Sequence, residues 1–313
     1  MIRTVDFHCD ALYKLLTYSD LEFTGDNSNR LDVTLPRLKE ARALLQTFAI
    51  FIPDKLGKTM EPILESIDLF QRKVLASDEM MFIRTAADLK ELQQNGKIGA
   101  LLSLEGADGL QGNMAMLRIL FALGVRALGL TWNNANWGAD GAMEPRKGGL
   151  TGKGVELVKE CNRLGIILDV SHLSERSFWD MVDKTTKPLI ASHSNAQALC
   201  NHPRNLTDEQ LRELIAMDGL IGVTFVPYFV ADQETVTVDD VVRHVEYICE
   251  LGGEKNLMFG SDFDGIDQYV NKLCHPGEVA NLMEALHKKY SSEQLESFFS
   301  GNAMRFLETN LPH

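Results

Sequence analysis

Residues 166–194 read IILDVSHLSERSFWDMVDKTTKPLIASHS, two short apolar runs that each end in a Ser-His pair and enclose an amphipathic segment. The enclosed segment is long enough to connect two parallel strands, which requires about a dozen residues or more. In that arrangement His172 and His193 lie at equivalent positions of two successive strand-loop units. Both imidazoles then emerge from the same rim of one sheet, where α/β proteins build their active sites.

The same alternation of strand and helix patterns runs through the whole chain. Predicted strands cover residues 4–8, 45–52, 98–104, 125–131, 166–170, 189–192, 220–225 and 257–260. Predicted helices cover residues 35–44, 62–76, 114–123, 154–164, 175–184, 208–217, 238–251 and 278–289. Eight strand-helix repeats favour a closed (β/α)8 TIM-type barrel over a doubly wound sheet. We therefore expect residues 1–313 to form one α/β barrel domain, with its active site at the C-terminal ends of the strands.

Composition narrows the location and the partners of the protein. A net charge of −13 argues against nucleic acid or an anionic membrane as a partner, because phosphates would be repelled. No apolar run approaches the roughly 18 residues of a membrane span, and the N-terminal MIRTVDFHCD lacks the apolar core of a secretion signal. The five cysteines have no paired spacing, which indicates reduced thiols. We expect a soluble, cytoplasmic protein.

Ionisable side chains follow five of the eight predicted strands, on the side where barrel enzymes keep their active sites. They are His8, Asp10, Glu105, His172, His193, Asp262 and Asp264. His8 and Asp10 face the same way if the strand continues, although an isolated His-x-Asp is also common in capped turns. Glu105 ends an apolar strand, where a carboxylate needs either a salt bridge or a cation. Taken together, the set favours Zn²⁺, with Mn²⁺ or Co²⁺ as substitutes, and two ions that share a carboxylate.

Other candidate residues carry weaker signals. The loop of residues 133–154 contains WGADGAMEPRKGGLTGKG, whose glycines suggest a phosphate loop, but Gly154 stands where that motif has Ser or Thr after its lysine. We predict a flexible active-site loop over the barrel mouth. Cys9 alternates to the opposite face from His8 and Asp10 and is predicted to be core. The serines beside His172 and His193 give no sign of an activated nucleophile.

Six motifs in this order resemble those of the membrane (renal) dipeptidase family of zinc dipeptidases, in the amidohydrolase superfamily. They are VDFHCD, LLSLEGADGL, LGLTWNNANW, GGLTGKGVELVKECNRLGIILDVSHLSERSFWDMV, KPLIASHSNAQALCNHPRNLTDEQL and FGSDFDG. The resemblance covers nearly the whole chain. It implies a zinc-dependent dipeptidase that also tolerates a D-residue at the C-terminal position of the dipeptide, and it implies a homodimer by analogy.

The resemblance also implies a role for individual residues. His8 and Asp10 would hold one Zn²⁺, and His172 and His193 would hold the other. Glu105 would bridge the two ions, and a water or hydroxide between them would be the nucleophile. In the motif SDFDG, Asp262 would move a proton from that water to the leaving amine, whereas Asp264 would be structural or would support the site indirectly.

Two further positions concern the substrate. Arg204, in HPRNLTDE, matches the arginine that binds the terminal carboxylate in the family, a ligand that a guanidinium grips with two hydrogen bonds. Mammalian members carry a histidine near the scissile carbonyl where this chain has Trp132. Indole donates one hydrogen bond and cannot be protonated. Asn133 or Asn134 is then a substitute donor, and the alternative is that Trp132 only walls the substrate pocket.

Three hypotheses follow. The leading one is a cytoplasmic binuclear zinc dipeptidase with a small dipeptide substrate. Trp132 and the loop after it keep a second enzyme class open, an N-acyl amino acid deacylase or another amide or ester hydrolase of the superfamily. The third is a non-catalytic barrel that binds metal or peptide. The family's secretion signal and lipid anchor are missing from this sequence, so an extracellular, membrane-held location is not expected.

Overall fold

A computed structural model describes residues 2–25 and 30–313 of the chain. Its strands are β1 (Thr4–Asp6), β2 (Ala43–Phe51), β3 (Met80–Phe82), β4 (Ile98–Glu105), β5 (Val125–Gly129), β6 (Ile167–Asp169), β7 (Ile190–Ala191), β8 (Leu220–Val223) and β9 (Leu257–Phe259). All pairings between these strands are parallel. Parallel strands require crossover connections, and helices supply most of them.

The sheet closes into a barrel of eight strands. Neighbouring strands follow the order β2-β1-β9-β8-β7-β6-β5-β4, and the pairing of β2 with β4 closes the ring. The closing register runs from Leu45 opposite Gly99 to Phe51 opposite Glu105. The ninth strand, β3, lies outside this ring and pairs with the first residues of β4, while β5 pairs with the last ones. The predicted (β/α)8 barrel is confirmed, and β3 is an addition that the sequence pattern did not predict.

Helices surround the barrel. They are α1 (Ala11–Thr17), α2 (Leu35–Glu40), α3 (Met60–Leu69), α4 (Ala86–Asn95), α5 (Met114–Ala122), α6 (Gly152–Leu164), α7 (Glu175–Lys184), α8 (Asp208–Ala216), α9 (Pro227–Val230), α10 (Val238–Glu250), α11 (Val279–His287), α12 (Ser292–Glu296) and α13 (Asn302–Asn310). Two π-helical turns, Phe70–Val74 and Ser297–Gly301, continue α3 and join α12 to α13. None of the helices in these described ranges is long and apolar enough to span a bilayer.

Local sequence explains where the helices beside the site begin and end. The Ser174 side chain accepts a hydrogen bond from the Ser177 amide and so caps α7, whose bounds match the prediction. Thr207 and Gln210 form a capping box at the start of α8. The predicted helix 35–44 is too long, because the chain enters β2 at Ala43. Its last residues pair with a neighbouring strand, which overrides their helical periodicity.

The apolar core fills one end of the barrel and leaves the other end for the functional site. The first residues of β6, β7 and β8, which are Ile167, Ile190 and Leu220, belong to one buried apolar cluster with Met304 and Leu307 of α13. The N-terminal ends of the strands are therefore filled by aliphatic side chains. Polar groups are left to the C-terminal ends, as in barrel enzymes generally.

Candidate metal centre

Six ionisable side chains converge at the C-terminal ends of five strands. They are His8 and Asp10 after β1, Glu105 at the end of β4, His172 after β6, His193 after β7 and Asp262 after β9. The histidines and Asp10 are buried, and the side chains of Glu105 and Asp262 are 9% and 15% exposed. The convergence that was predicted from the strand ends is therefore present in the folded chain.

One half of the cluster surrounds His8. The His8 Nε2 atom lies 3.5 Å from Asp10 Oδ2, 3.6 Å from Glu105 Oε2 and 3.7 Å from Asp262 Oδ1. His8 Nε2 and Asp10 Oδ1 are buried and make no hydrogen bond among the described residues. Buried polar atoms are nearly always satisfied, so two unsatisfied atoms on neighbouring side chains are what a cation-binding site would present.

The other half uses the second oxygen of the same glutamate. Glu105 Oε1 lies 2.7 Å from His172 Nε2 and 3.7 Å from His193 Nε2, and the two Nε2 atoms are 2.9 Å apart. Glu105 therefore faces His8 with one carboxylate oxygen and the histidine pair with the other. Of the described residues, the triads with ligand atoms within 4.8 Å of one another are His8–Glu105–His193 and His8–Asp10–Asp262.

The remaining ring nitrogens of the histidine pair are already engaged. The Nδ1 atom of His172 lies 2.9 Å from Asn133 Oδ1, and Nδ1 of His193 lies 2.7 Å from Ser192 Oγ. Burial, reinforced by the Arg204 and His8 charges, lowers the pKa of both rings well below the usual value, so both are neutral. This leaves Nε2 of each ring directed at Glu105.

The carboxylate charges of these side chains repel one another. Burial, together with the charges of Asp10 and Asp262, raises the pKa of Glu105 well above its usual value. Burial likewise raises the pKa of Asp262 to about 8. Burial lowers the pKa of His8, but the charges of Glu105, Asp10 and Asp262 outweigh it and bring the pKa to about 10. A divalent cation would relieve this crowding of carboxylates, and the nitrogen and oxygen donors suit Zn²⁺, Mn²⁺ or Co²⁺.

Asp262 is held in position through the strand ends beside it. Its amide donates to the His8 carbonyl oxygen over 3.2 Å, and its φ of 66° lies in the left-handed region that non-glycine residues rarely adopt. Asp6 accepts hydrogen bonds from the amide and the hydroxyl of Ser261, at 2.9 and 2.6 Å. Asp264 instead accepts the amides of Asp32 and Val33, at 2.7 and 2.9 Å. Of the two acids in SDFDG, Asp262 faces the cluster and Asp264 anchors a neighbouring loop.

Arg204 lies beside the cluster and is buried. Its Nη2 donates to the His193 carbonyl oxygen over 3.4 Å, its Cζ lies 5.4 Å from the Phe229 ring centroid, and its Nε has no partner among the described residues. Burial lowers the pKa of the guanidinium to about 10, with the carboxylates of Asp262, Glu105 and Asp169 opposing the shift. The side chain is still charged at neutral pH and lines a pocket together with His172.

Trp132 lies near His172 at the mouth of a different pocket. Its side chain is 39% exposed, and its ring centroid lies 5.1 Å from that of Phe51 and 6.3 Å from that of His172. It lines a second pocket with Glu105 and Lys58. The Asn133 oxygen contacts His172, so its predicted contact with substrate stays a prediction, whereas its contact with a histidine is observed.

The loop of residues 133–154 is bound to the site by many hydrogen bonds. Asp140 accepts from Arg146 Nε and Nη2 at 2.7 and 2.5 Å, and the Ala142 amide donates to the His172 carbonyl oxygen at 2.7 Å. A Cβ on Gly141 would lie 2.5 Å from the Asn133 carbonyl group, so only glycine fits against that backbone. These contacts brace Asn133 and His172, and the predicted flexibility of the loop stays a prediction.

Sequence reasoning missed several polar residues that support the site. Asp6, Asp169, Ser171 and Ser192 are among them, and all four make hydrogen bonds at the strand ends. Asp6 lies two residues before His8 and Asp169 three residues before His172, a spacing that becomes a signal only once the structure is known. Cys9 is fully buried, as predicted, and all five cysteines are free thiols.

Comparison with known proteins finds relatives over nearly the whole chain. The profile of the membrane dipeptidase family, peptidase family M19, matches residues 1–311. The dipeptidase tcpJ of Claviceps purpurea is 32% identical over 98% of this chain and 77% of its own length. Dipeptidase AC, a metallopeptidase of family M19, superposes with a TM-score of 0.92 at 27% identity, over 100% of this chain and 99% of its own. A metallopeptidase from Rhodobacter sphaeroides, liganded with a phosphinate mimic of the dipeptide L-Ala-D-Ala, superposes with a TM-score of 0.89 at 26% identity, over 99% of both chains.

Proposed function

The chain belongs to the membrane dipeptidase family, peptidase family M19, and from this premise we propose how it works as a metallo-dipeptidase. The proposal is that it holds two Zn²⁺ ions and hydrolyses the peptide bond of dipeptides, including those with a C-terminal D-residue. One observation carries it: the two oxygens of Glu105 face opposite groups of metal ligands, His8 at 3.6 Å and His172 at 2.7 Å.

The proposed metal ligands form two groups, one on each side of Glu105. His8 and Asp10 would hold one ion, His172 and His193 the other, and Glu105 would be shared. Mn²⁺ and Co²⁺ are expected to substitute for Zn²⁺, since imidazole and carboxylate ligands accept them. When bound, the ions supply Lewis acidity that polarises the scissile carbonyl and favours ionisation of the attacking water.

The protein itself supplies the proton transfer. The Asp262 carboxylate lies at the edge of the His8 group, with Oδ1 3.7 Å from His8 Nε2. In the proposed reaction it takes the proton of the attacking water and delivers it to the nitrogen of the leaving amine. Burial raises the pKa of Asp262 to about 8, and a neighbouring cation would lower it again.

Arg204 supplies selection for a free C-terminus. A buried guanidinium with an unpartnered Nε requires an anion more than it requires another neutral contact. The terminal carboxylate of a dipeptide lies one residue from the scissile bond, so Arg204 would direct cleavage to the peptide bond next to a free C-terminus. The phosphinate mimic of L-Ala-D-Ala in the Rhodobacter sphaeroides relative supports a dipeptide with a D-residue at that position.

An N-acyl amino acid deacylase is the second candidate. Such a substrate carries the same carboxylate for Arg204 but replaces the free amine by an acyl chain, and the half-exposed face of Trp132 offers an apolar surface for one. Parallel kcat/KM values for Ala-Ala, Ala-D-Ala and N-acetyl-alanine separate the two functions. A dipeptidase favours the first two, and a deacylase favours the third.

The test of the proposed function combines metal content with hydrolysis. Wild-type protein is expected to retain tightly bound metal and to cleave dipeptides, and Glu105→Ala is expected to lose both. Glu65→Ala, on the exposed face of α3, is the matched control and should change neither. Trace metal only in the wild type, or full activity in Glu105→Ala, would contradict the proposal. Asp262→Asn should keep the metal and lose turnover, whereas a non-catalytic binding barrel would be unaffected.

We also propose a cytoplasmic location and a homodimer. The five free cysteines suit a reducing compartment, and the dimer rests on analogy within the family. Cell fractionation and analytical ultracentrifugation test these two proposals. Neither a nucleic acid nor a membrane is proposed as a partner.

A further inference from the structure

Both histidine-bearing loops are tied to one buried carboxylate, that of Asp169 at the end of β6. Its Oδ1 atom accepts the amide of Ser171, which precedes His172, at 2.9 Å. The same oxygen accepts the amide of Ser192, which precedes His193, at 3.0 Å. Its other oxygen, Oδ2, accepts the hydroxyl of Ser192 in a short hydrogen bond. A single side chain thus fixes the backbone before each of the two histidines.

The hydrogen bonds that run from Asp169 through Ser192 to His193 determine the tautomer of His193. The Ser192 hydroxyl has one hydrogen, and the Asp169 carboxylate, which has none to give, takes it. The Ser192 oxygen can then only accept from Nδ1 of His193, which lies 2.7 Å away. The neutral ring has one N–H, so Nε2 keeps its lone pair, and that atom faces Glu105.

We propose that Asp169 and Ser192 are positioning residues that keep the ring proton of His193 on Nδ1 and so prepare Nε2 as a metal ligand. This inference rests on the proposed function, since it assumes that His193 binds a metal. Groups that hold the outer nitrogen of a metal-binding histidine typically contribute about 10- to 100-fold to metal affinity. Ser171 completes the arrangement, because its hydroxyl accepts the His193 amide at 3.1 Å.

The substitution Asp169→Asn reverses the direction of the hydrogen bonds that link residue 169, Ser192 and His193, and it hardly changes the shape of the side chain. The amide oxygen can still accept the amides of Ser171 and Ser192, but an NH2 group now faces the Ser192 oxygen. Ser192 then accepts from it, which frees the Ser192 hydrogen for Nδ1 of His193. The ring proton moves to Nε2, where it blocks the lone pair that would bind the ion.

Variants at Ser192 give a graded series. Ser192→Thr retains the hydroxyl and is expected to bind metal like the wild type. Ser192→Ala removes the hydroxyl that links Asp169 to His193 but does not favour the wrong tautomer. Its Zn²⁺ affinity should therefore fall less than that of Asp169→Asn. Asp240→Asn is the matched control, because Asp240 is also buried and accepts the amide and hydroxyl of Thr237, both at 2.8 Å, on α10.

The experiment measures Zn²⁺ affinity by competition with a chromophoric chelator, in the full-length chain. The expected order of affinity is wild type equal to Ser192→Thr, then Ser192→Ala, then Asp169→Asn, with the last about 10- to 100-fold below wild type for one of the two ions. Equal affinity in all variants, or a fall in Asp240→Asn as large as in Asp169→Asn, would overturn the proposal.

A second measurement needs no variant to bind metal. Nitrogen-15 NMR of histidine-labelled protein reports which ring nitrogen carries the proton, with the His193 signals assigned from their absence in His193→Gln. The wild type should show a proton on Nδ1, and Asp169→Asn should show it on Nε2. If the His193 ring of the wild type is protonated on Nε2, the proposed role of Asp169 and Ser192 is wrong. If the wild type binds no zinc at all, the proposed function fails, and the tautomer is still decided by the spectrum.

Discussion

Replacing Arg204 by methionine should stabilise the protein and remove the selectivity for a free carboxylate that we propose for it. The guanidinium is buried, and its pKa falls from 12.5 to about 10 because burial disfavours the charged form. At 1.36 kcal/mol per pKa unit, keeping this charge in the folded state costs about 3 kcal/mol. Arg204→Met removes that cost with a side chain of similar length, so the free energy of unfolding should rise by up to about 3 kcal/mol.

The effect on catalysis has the opposite sign. Without the guanidinium, the terminal carboxylate of the substrate enters a buried site unpaired, which costs about 3–4 kcal/mol. This corresponds to a fall of about 10²- to 10³-fold in kcat/KM. A dipeptide amide, which has no carboxylate, should already be a poor substrate and should lose little. Selectivity for the dipeptide over its amide should therefore collapse in Arg204→Met.

Urea unfolding and steady-state kinetics on both substrates test these two expectations together. Arg212→Met, on the exposed face of α8, is the control and should alter neither quantity. The reasoning is refuted if Arg204→Met unfolds more easily than the wild type. It is also refuted if kcat/KM falls equally for the dipeptide and the amide, because Arg204 would then not bind the terminal carboxylate of the substrate.

Three further predictions concern the metal centre and the barrel around it. Chelation should lower both activity and the melting temperature, because it leaves Glu105 and Asp10 as crowded carboxylates. Added Zn²⁺ should restore the activity in a hydrolysis assay and the melting temperature in calorimetry. Gly141→Ala should press on the Asn133 carbonyl group and weaken zinc affinity in a chelator titration, whereas Gly152→Ala, which meets no atom within 4 Å, should not. Burial lowers the pKa of His244, so its neutral ring contributes stability that is complete above pH of about 6.5 and declines as the pH falls below that value. Urea unfolding from pH 7 to 5 should accordingly show a weaker decline in His244→Gln than in the wild type, and an identical pH dependence would contradict this.

Hydrophobic periodicity predicted the barrel because every strand of a parallel barrel is buried on both faces. It did not predict β3, which has three residues and pairs only with the start of β4. It also extended the helix at residues 35–44 into β2, since the run ALLQTFAIF is apolar in either conformation. Short apolar runs are resolved by their strand neighbours, which are distant in sequence.

The candidate site likewise contains residues that could be predicted from the sequence and residues that could not. The ionisable residues at strand ends were predictable, because the topology of a barrel brings those ends together. Arg204 could be singled out only through the family resemblance, since nothing local distinguishes it from other loop cations. The roles of Asp169 and Ser192 were not predictable at all. They depend on hydrogen bonds between β6 and β7, and the sequence shows only an acid and two serines beside histidines.

The central claim is that Glu105 is shared by two metal ions, and anomalous X-ray diffraction at the zinc edge tests it most directly. Crystals of the zinc-loaded protein should show two anomalous peaks, one on each side of the Glu105 carboxylate. One peak should lie toward His8 and Asp10 and the other toward His172 and His193. A single peak, or two peaks of which neither contacts Glu105, would contradict the claim.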